Sequence, residues 1–564
     1  METEPKPPPG PPHSPRSLHY ETKDIVEASS TSTVTSGIDP HEKGHSHGDL
    51  EQQQESQALS KLPPIRGIRL VLLTIGLFIG CFLASMDLTI IATALPRIAS
   101  EFNAQSQMSW VATSYLLAYT AFQAIYGRFS DIFGRKSMYL FACTIFLVGS
   151  IGCGAASSMT MLILFRAIQG MGGSGLFSLM LIIASDLFET LDERAKFQTI
   201  VGLAFGVSGV VGPLLGGVFV EHSTWRWCFY LNLPFGIVAF GLVGKFLDVP
   251  FERSNLRGKL ERVDYAGVML VIAAVLCLLL PLAWGGTTYA WNSVVIIALF
   301  GVSALLVVAL VFVEQRAAEP ILPMSLFLNR EVAILVSVIC LMGVVFMGCT
   351  YYVPVYLQIV KRVSTTESGL RLMPCIFGLV FSTAVSSVLL KRLKDYRIFI
   401  STGCAILTLA VGLFILFDID TSLAEQLIFV LLMGLGQGLI FQNCVLASQD
   451  CTEPHERAVA TGLVAFINSI GNSVGVAICG TVLNNALLNQ LDKLPVESRR
   501  IVDEMNVVEN INAIGELEGS VYVEVIEAYA KAFQILFVVL TPAIGLAFLL
   551  SLFIRRRGTL SSKE

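Results

Sequence analysis

The sequence predicts an all-α membrane protein that crosses the bilayer fourteen times. Of its 564 residues, 54% are hydrophobic and only 14% are charged, whereas about 25% of the residues of an ordinary soluble domain are charged. From Gly67 onward, fourteen mostly apolar runs follow one another. Each has about 20 residues, the length that a helix needs to cross the hydrocarbon layer. The runs cover approximately residues 68–95, 109–126, 137–157, 160–185, 197–220, 227–247, 265–285, 291–313, 331–358, 368–390, 396–417, 424–447, 457–482 and 531–554.

Positive charge predicts the orientation of these runs. Short loops rich in Lys and Arg stay in the cytoplasm, and most of the cations lie between an even run and the following odd one. An even number of spans then places both termini in the cytoplasm. Lys361 and Arg362 fall on the opposite side and are exceptions. The cations that support this orientation are Arg128, Arg135, Lys136, Arg194, Lys196, Arg253, Arg257, Lys259, Arg262, Arg316, Arg330, Lys391, Arg392, Lys394 and Arg397.

The order of the runs divides the chain into five parts. The N-terminal part is rich in Pro, Ser, Thr and Gln, a composition that buries too little apolar surface to fold. Its segment His41-Glu42-Lys43-Gly44-His45 matches a zinc-protease pattern, but that pattern needs a packed helix, and we expect no metal site. The five parts are a disordered cytoplasmic tail (1–66), a first six-helix bundle (67–247), a linker with two extra helices (248–330), a second six-helix bundle (331–555) that includes an acidic extracellular loop (483–530), and a cytoplasmic tail (556–564).

A polar stretch, residues 127–136, separates the second run from the third. Its two glycines would allow a tight reversal between helices, and its aspartate can meet an arginine or a helix N-terminus. We interpret the stretch as a cytoplasmic hairpin between two helices. Its residues of interest are Gly127, Arg128, Asp131, Gly134, Arg135 and Lys136.

The fifth run carries a stripe of small residues. Six glycines fall within about 140° of one helix face at about 100° per residue, and such a stripe lets another helix approach closely. Pro213 adds a kink because it removes a backbone hydrogen bond. Generic small-residue packing explains the stripe as well. The glycines are Gly202, Gly206, Gly209, Gly212, Gly216 and Gly217.

Asp87 in the first run and Arg166 in the fourth are ionisable residues inside apolar runs. A buried charge there costs roughly a few kcal/mol or more and is usually functional or paired. Desolvation favours the neutral form of Asp87 and a nearby cation favours its carboxylate, so its protonation can switch as the site opens to either side. All seven histidines lie outside the middle of the runs, which excludes a histidine relay. The alternatives are a fixed hydrogen-bond anchor for Asp87 and a structural salt bridge for Arg166.

These stretches resemble the motifs of one family of transporters. Residues 127–136 resemble the signature between helices 2 and 3 of the major facilitator superfamily. Residues 164–170 resemble another of its signatures, and residues 212–217 resemble the motif of its antiporters. Residues 83–90 and 225–236 are similar to the fourteen-span drug:proton antiporter family of fungi and bacteria.

The resemblance implies the major facilitator fold, with two six-helix bundles plus two linker helices. It implies that Arg166 takes part in proton transfer. It also implies that Arg128, Asp131 and Arg135 pair to hold one conformation closed, and that the kinked fifth helix seals the pathway against leak. The motif residues of that helix are Gly209, Gly212, Pro213, Gly216 and Gly217.

Substrate contacts are predicted from neutral amides and aromatic rings in the second bundle. Amides in a cavity can bind a weakly polar ligand, although they also hold helices together. A wide apolar cavity with a few polar groups suits bulky amphipathic molecules. The candidates are Tyr351, Tyr352, Gln437, Phe441, Gln442, Asn468 and Asn472.

We therefore expect a proton-coupled antiporter that exports amphipathic drugs, toxins or secondary metabolites by alternating access. Uptake of a nutrient or iron chelate and a non-transporting nutrient sensor are the alternatives. We expect a monomer in the cell membrane or the vacuolar membrane, with protons, a small molecule and lipid as partners. The net charge of −5 and the pI of about 5.9 argue against nucleic acid. We expect no enzyme activity and no cofactor, because strings at 170–175 and 471–475 that match enzyme motifs lie inside apolar runs.

Overall fold

The structure, a computed structural model, describes residues 67–104, 107–188, 190–247, 256–286, 288–317, 319–453, 456–504 and 519–555. Within these ranges the regular structure is helical, which confirms the predicted all-α class. The predicted tails 1–66 and 556–564 and the histidines at 41, 45 and 47 lie outside the described residues. The long helices of the described ranges, α1 to α14 in chain order, are Ile68–Glu101, Met108–Phe133, Arg135–Gly154, Met159–Leu187, Leu191–His222, Asn232–Phe246, Tyr265–Trp284, Val294–Glu314, Arg330–Ile359, Met373–Leu393, Tyr396–Phe414, Leu423–Asp450, Arg457–Leu491 and Gly519–Ser551. Short helices lie at Trp227–Tyr230, Leu256–Glu261, Met324–Leu328, Thr365–Arg371 and Val496–Glu504.

Most of the long helices can cross a membrane. By length and composition, 13 of those that the structure describes qualify, with α6 counted together with the short helix Trp227–Tyr230 and α10 together with part of the short helix Thr365–Arg371. The long helix outside this set is α2, whose polar side chains include Gln123, Arg128 and Asp131. Gln123 is fully buried and accepts a hydrogen bond from Ser469 of α13. The prediction of apolar spans is confirmed for these 13, and α2 as a further span stays a prediction.

The end of α13 and the start of α14 differ from the prediction. The sequence predicted a loop over residues 483–530, but α13 continues to Leu491 and α14 begins at Gly519. Leu483 and Leu487, one helical turn apart, are both buried. The apolar face of α13 thus continues where its other faces become polar, and an amphipathic helix of this kind extends beyond the apolar run. The predicted loop boundaries were therefore wrong at both ends.

The long helices form two groups by packing. In the first group, α3 and α2 pack against α4, and α5 and α6 pack against α1; we call α1–α6 the first bundle. In the second group, α9 packs against α13, α10 and α11 pack against α12, and α14 packs against α9, α11 and α13; we call α9–α14 the second bundle. Helices α7 and α8 pack on each other, and α7 also contacts α2. There, the rings of Trp110 and Trp284 meet edge to face with centroids 5.8 Å apart.

The reversal between α2 and α3 takes a single residue. Helix α2 continues to Phe133 and α3 begins at Arg135, so only Gly134 lies outside both helices. Its φ of +89° lies in the region that favours glycine. Gly127 lies inside α2, contrary to the prediction that both glycines form the turn. A Cβ atom on Gly127 would lie 3.2 Å from the backbone oxygen of Ala458 in α13, so this glycine permits the two bundles to approach closely. We call the end of the helices at which Gly134 lies the cation-rich end.

Candidate functional site

Asp87 of α1 and Arg166 of α4 form an ion pair inside the first bundle. Nη1 of Arg166 donates to Oδ2 of Asp87, and the two side chains are 1% and 0% exposed. Nε of Arg166 donates to the backbone oxygen of Val111 in α2 at 3.1 Å. The structure thus brings together the two ionisable residues that the sequence singled out, and the pair joins three helices.

Three neutral side chains complete the surroundings of Asp87. Gln169 donates through Nε2 to Oδ1 of Asp87 at 2.8 Å, and its Oε1 accepts from Arg166 at 2.8 Å. Asn232 of α6 donates to the same Oδ1 at 3.3 Å. Ser150 of α3 accepts from both amides, at 2.9 Å from Gln169 and 3.2 Å from Asn232. Both carboxylate oxygens of Asp87 therefore accept hydrogen bonds, Oδ2 from Arg166 and Oδ1 from the two amides.

Aromatic rings border the guanidinium of Arg166. The ring centroid of Tyr115 lies 4.3 Å from its Cζ atom, and that of Phe229 lies 5.9 Å away. The hydroxyl of Tyr115 donates to the backbone oxygen of Ala84 at 3.3 Å, which holds the ring in place. A desolvated cation–π contact is worth about 2 kcal/mol. Arg166 therefore has a source of stabilisation that does not depend on the charge of Asp87.

The glycine stripe of α5 faces two different helices. A Cβ atom on Gly206 would lie 2.6 Å from a methyl group of Val380 in α10, whereas one on Gly212 would lie 2.1 Å from Oγ1 of Thr89 in α1. A Cβ atom on Gly217 would have no neighbouring atom of another segment within 4 Å. One half of the stripe thus contacts the second bundle, and the other half contacts the helix that carries Asp87. The remaining members divide in the same way: Gly202 and Gly209 face α10, Gly216 faces α1, and Pro213 lies within α5.

Direct packing connects the ion pair to the interface between the bundles. Thr89 lies two residues after Asp87 in α1, and its hydroxyl donates to the backbone oxygen of Ser208 in α5 at 3.1 Å. Since α5 also packs against α10, α5 alone lies between α1 and the second bundle along this path. A displacement of α1 at Asp87 therefore acts directly on a helix of the bundle interface.

A chain of ion pairs lies at the cation-rich end. Arg135, the first residue of α3, contacts Asp131 of α2 at 2.6 Å and Asp186 of α4 at 2.7 Å. Arg128 lies 4.0 Å from Asp131 and 3.5 Å from Glu319, which belongs to the connection between α8 and α9. All these side chains are at most 20% exposed, so salt screens them less than surface pairs. The first turn of α3 also contains the half-buried Lys136.

The two bundles are in contact at the cation-rich end. Gln442 of α12 donates to the backbone oxygen of Ala195 in α5 at 2.9 Å. Ser387 of α10 donates to the same oxygen at 2.6 Å. The rings of Phe441 in α12 and Phe177 in α4 stack with centroids 6.4 Å apart. The described bundles are thus closed against each other at this end.

Accessibility along α13 changes beyond the closed end. Residues Ala458–Phe466 are buried throughout, whereas residues 467–470 and 472–474 are partly exposed. Two of the predicted amides lie in this second stretch: Asn472 donates to Oδ1 of Asn468 at 3.3 Å. Nδ2 of Asn468 has no hydrogen-bond partner among the described residues, and neither does the buried Oε1 of Gln437. Both amide atoms are buried, so each is a polar group left unpaired inside the described bundles.

The other predicted substrate residues have different surroundings. Gln442 is bonded to α5 at the bundle interface, so in this conformation it joins the bundles and its Nε2 is occupied. Phe441 is partly exposed between buried neighbours. Tyr351 is 54% exposed. The hydroxyl of Tyr352 lies 2.7 Å from where a Cβ atom on Gly480 of α13 would be, which is helix packing.

Several side chains of the site were missed in the sequence. Gln169 follows Arg166 by three residues and so shares its helix face, which is a signal that could have identified it. Asn232 lies in the stretch 225–236 that resembles the drug:proton antiporters and could have been found there. Ser150 and Glu319 carry no comparable signal, because only the packing of distant segments brings them to their partners.

The fold and these contacts define a membrane transporter of two helical bundles, with an ion pair buried in one of them. The family model of the Major Facilitator Superfamily matches residues 77–476. The chain belongs to this superfamily, so it is a multi-pass membrane transporter and not an enzyme.

Known proteins agree with this assignment. The chain is 33% identical over 475 residues to "Multidrug transporter protein MdtP" of Bacillus subtilis (strain 168), covering 82% of this chain and 86% of that protein. It is 32% identical over 456 residues to "MFS-type efflux pump MFS1" of Trichophyton rubrum, covering 79% of this chain and 85% of the pump. The crystal structure of the human organic anion transporter MFSD10 (TETRAN) matches with a TM-score of 0.57 at 13% identity, over 86% of this chain and 100% of that chain. That likeness concerns the fold.

Proposed function

We propose that this protein is a proton-coupled antiporter that exports amphipathic drugs, toxins or secondary metabolites by alternating access. Export is supported by the names of the multidrug transporter and the efflux pump to which the chain is similar over most of its length. The chain is an efflux transporter of the superfamily. The proposal that export is coupled to protons rests instead on residues of this chain.

The observation that carries the proposal is the buried pair of Asp87 and Arg166. In the described conformation the carboxyl group of Asp87 is paired with a cation and accepts hydrogen bonds from Gln169 and Asn232. A proton on Asp87 removes the charge that attracts Arg166, and the aromatic rings around Arg166 then help to hold the guanidinium. Protonation therefore weakens the connection between α1 and α4 without expelling a charge into the lipid. A membrane potential supplies roughly 2.3 kcal/mol per charge per 100 mV for such a proton.

Contacts between the bundles support the proposal of alternating access. The bundles are closed at the cation-rich end, where α2 at Gly127 lies against the start of α13. Cation-rich loops stay in the cytoplasm, so we infer that this conformation is closed to the cytoplasm. Movement of α1 upon protonation acts on α5, which contacts both α1 and α10. The ion pairs of Arg128, Asp131 and Arg135 hold the closed state, and opening requires that some of them break.

The substrate site that we propose lies beside the partly exposed turns of α13. The unpaired, buried amide atoms of Gln437 and Asn468 can bind a polar group in a conformation that exposes them, and the partly exposed Phe441 offers an apolar surface. We include Asn472 and the neighbouring tyrosines Tyr351 and Tyr352 among the candidate contacts. An apolar cavity with a few amides binds amphipathic molecules better than strongly charged ones. We propose that the protein acts as a monomer in the cell membrane and does not bind nucleic acid.

Flux measurements in vesicles test the coupling. Purified protein is reconstituted, a pH gradient is imposed, and the movement of a panel of fluorescent amphipathic compounds is followed. We expect gradient-driven flux for the unmodified protein and its loss in Asp87→Asn, which should still exchange substrate when no gradient is present. Ser150→Ala, which changes the same network but keeps both charges, is the matched control and should retain gradient-driven flux. Undiminished export by Asp87→Asn, or by the unmodified protein after the gradient is collapsed, would contradict proton coupling through this residue.

A further inference from the structure

We propose that Glu319, in the connection between α8 and α9, is a positioning residue of the cytoplasmic gate. It holds Arg128 in place when the cation-rich end is closed, and it makes the two linker helices part of the gate. This inference rests on the proposed alternation of the bundles, but it does not require that transport be coupled to protons.

Glu319 pairs with two arginines from different parts of the chain. Its Oε2 lies 3.5 Å from Nη2 of Arg128 in α2, and its Oε1 accepts from Nε of Arg262, just before α7, at 2.6 Å. Arg128 lies farther from Asp131, at 4.0 Å, so Glu319 is its nearer carboxylate. Arg128 and Glu319 are each 19% exposed, whereas Arg262 is 52% exposed. The pair with Arg128 is therefore the better shielded of the two.

The backbone around Glu319 is fixed by a second carboxylate. Glu314, the buried last residue of α8, accepts hydrogen bonds from the backbone N–H groups of Ile321 and Leu322, each at 3.2 Å. The side chains of Ile321 and Leu322 are themselves buried in the hydrophobic core. Glu319 is thus presented by an anchored segment, and this lowers the entropy lost when it pairs with Arg128.

The same connection is tied to the second bundle a few residues later. Ser325 donates to Oε1 of Glu456 at 3.2 Å, and Asn329 donates to the backbone oxygen of Cys451 at 3.2 Å. Both acceptors lie in the turn between α12 and α13. The connection therefore reaches from Arg128 of the first bundle to a turn of the second bundle, across the closed end. Separation of α2 from α13 must break the contact at Glu319 or those at Ser325 and Asn329.

Of these contacts, the one at Glu319 is a charge pair between the connection and the first bundle. Ser325 and Asn329 instead hold the connection to the turn between α12 and α13 of the second bundle. When the bundles separate, we therefore expect the connection to stay with the second bundle and Arg128 to leave Glu319. Neutralising Glu319 should make that separation easier.

Distance measurements on the folded protein test this role. Spin labels are attached through a non-natural amino acid at the exposed positions Lys196 of α5 and Arg392 of α10, which leaves the native cysteines in place. The distribution of distances between the labels in lipid nanodiscs gives the ratio of closed to open molecules. For Glu319→Gln we expect that ratio to fall about fivefold, the effect of losing a pair worth about 1 kcal/mol. Glu319→Asp, which keeps the charge on a shorter side chain, should give a smaller shift in the same direction.

Two further variants show whether Glu319 acts in the cytoplasmic gate or only fastens the linker helices to each other. In an Arg128→Gln background, Glu319→Gln should cause no additional shift, because its partner is already absent. Arg262→Gln removes the other partner of Glu319 and should leave the ratio within about twofold of the unmodified protein, as expected for an exposed pair. An unchanged ratio in Glu319→Gln, or an equal shift in Arg262→Gln, would show that Glu319 only fastens the linker helices to each other. Because this readout involves neither substrate nor a pH gradient, its failure is distinguishable from a failure of proton coupling.

Discussion

Removing one member of the Asp87–Arg166 pair should destabilise the protein by an amount that depends on which member is removed. Arg166 cannot lose its proton, whereas a carboxyl group can gain one. In Asp87→Asn the guanidinium keeps its hydrogen bonds to Val111 and Gln169 but loses its counter-charge. Breaking a buried pair in this way costs about 3–5 kcal/mol. Because the remaining hydrogen bonds are intact, we expect a loss of about 3 kcal/mol in the free energy of unfolding.

The reverse change, Arg166→Met, should behave differently with pH. Asp87 then retains only the neutral donors Gln169 and Asn232, both on one oxygen. At acid pH the carboxyl group can be neutral, and its burial costs little. As the pH rises, the buried group must either keep its proton while the unfolded chain ionises or be charged without a cation, so the loss of stability should grow. The loss in Asp87→Asn should stay constant over the same range, because the charge on Arg166 does not change.

The double variant with both changes removes both charges and should recover much of the loss, since apolar replacement of a whole buried pair is often nearly neutral. The free energy of unfolding can be measured by titration with SDS in mixed micelles at several pH values. Ser150→Ala is the control: it removes a neutral acceptor from the same network and should cost about 1 kcal/mol. If Asp87→Asn costs no more than Ser150→Ala, or if its loss varies with pH as in Arg166→Met, the reasoning about buried charge is refuted.

Two other predictions concern helix packing and the C-terminal end of α1. Gly434→Ala should destabilise the protein by about 1–3 kcal/mol, because the added Cβ atom would lie 1.9 Å from the backbone oxygen of Cys375. Gly412→Ala, where nothing lies within 4 Å, should be neutral or slightly stabilising, and equal thermal stability of the two variants would contradict this account. Although partial burial raises the pKa of Glu101, hydrogen bonds from Trp225 and Arg226 and the charge of Arg226 together lower it below its ordinary value. Glu101 should therefore contribute stability above its unfolded pKa of about 4.5 and lose it as the pH falls through its lower folded pKa. Glu101→Gln should accordingly be slightly less stable than the unmodified protein at neutral pH, by at most about 1 kcal/mol, and in thermal unfolding the difference should vanish once the pH lies below that folded pKa.

The hairpin at residues 127–136 shows which features of the site could be predicted from the sequence. The composition of residues 127–136 indicated a turn between two helices with an Asp131–Arg pair, and the structure contains both. It did not indicate that α2 continues through most of the stretch, since a charged segment looks like a loop when its partners are unknown. Gly127 has a different role from Gly134 because of its neighbour Ala458, which is more than 300 residues away in the chain.

The sequence by itself determined the class of the protein, the places of most membrane-spanning helices and the ionisable residues buried among them. It could do so because each of these depends on local composition: an apolar run of sufficient length becomes a helix in lipid, and a charge within it stands out. The tertiary structure alone decided which partners those residues have. The network of Gln169, Ser150 and Asn232 around Asp87, the division of the α5 glycines between α1 and α10, and the contact of Glu319 with Arg128 join segments that are distant in the chain. Such contacts depend on how the helices pack against one another, and apolar periodicity does not encode the choice of neighbour.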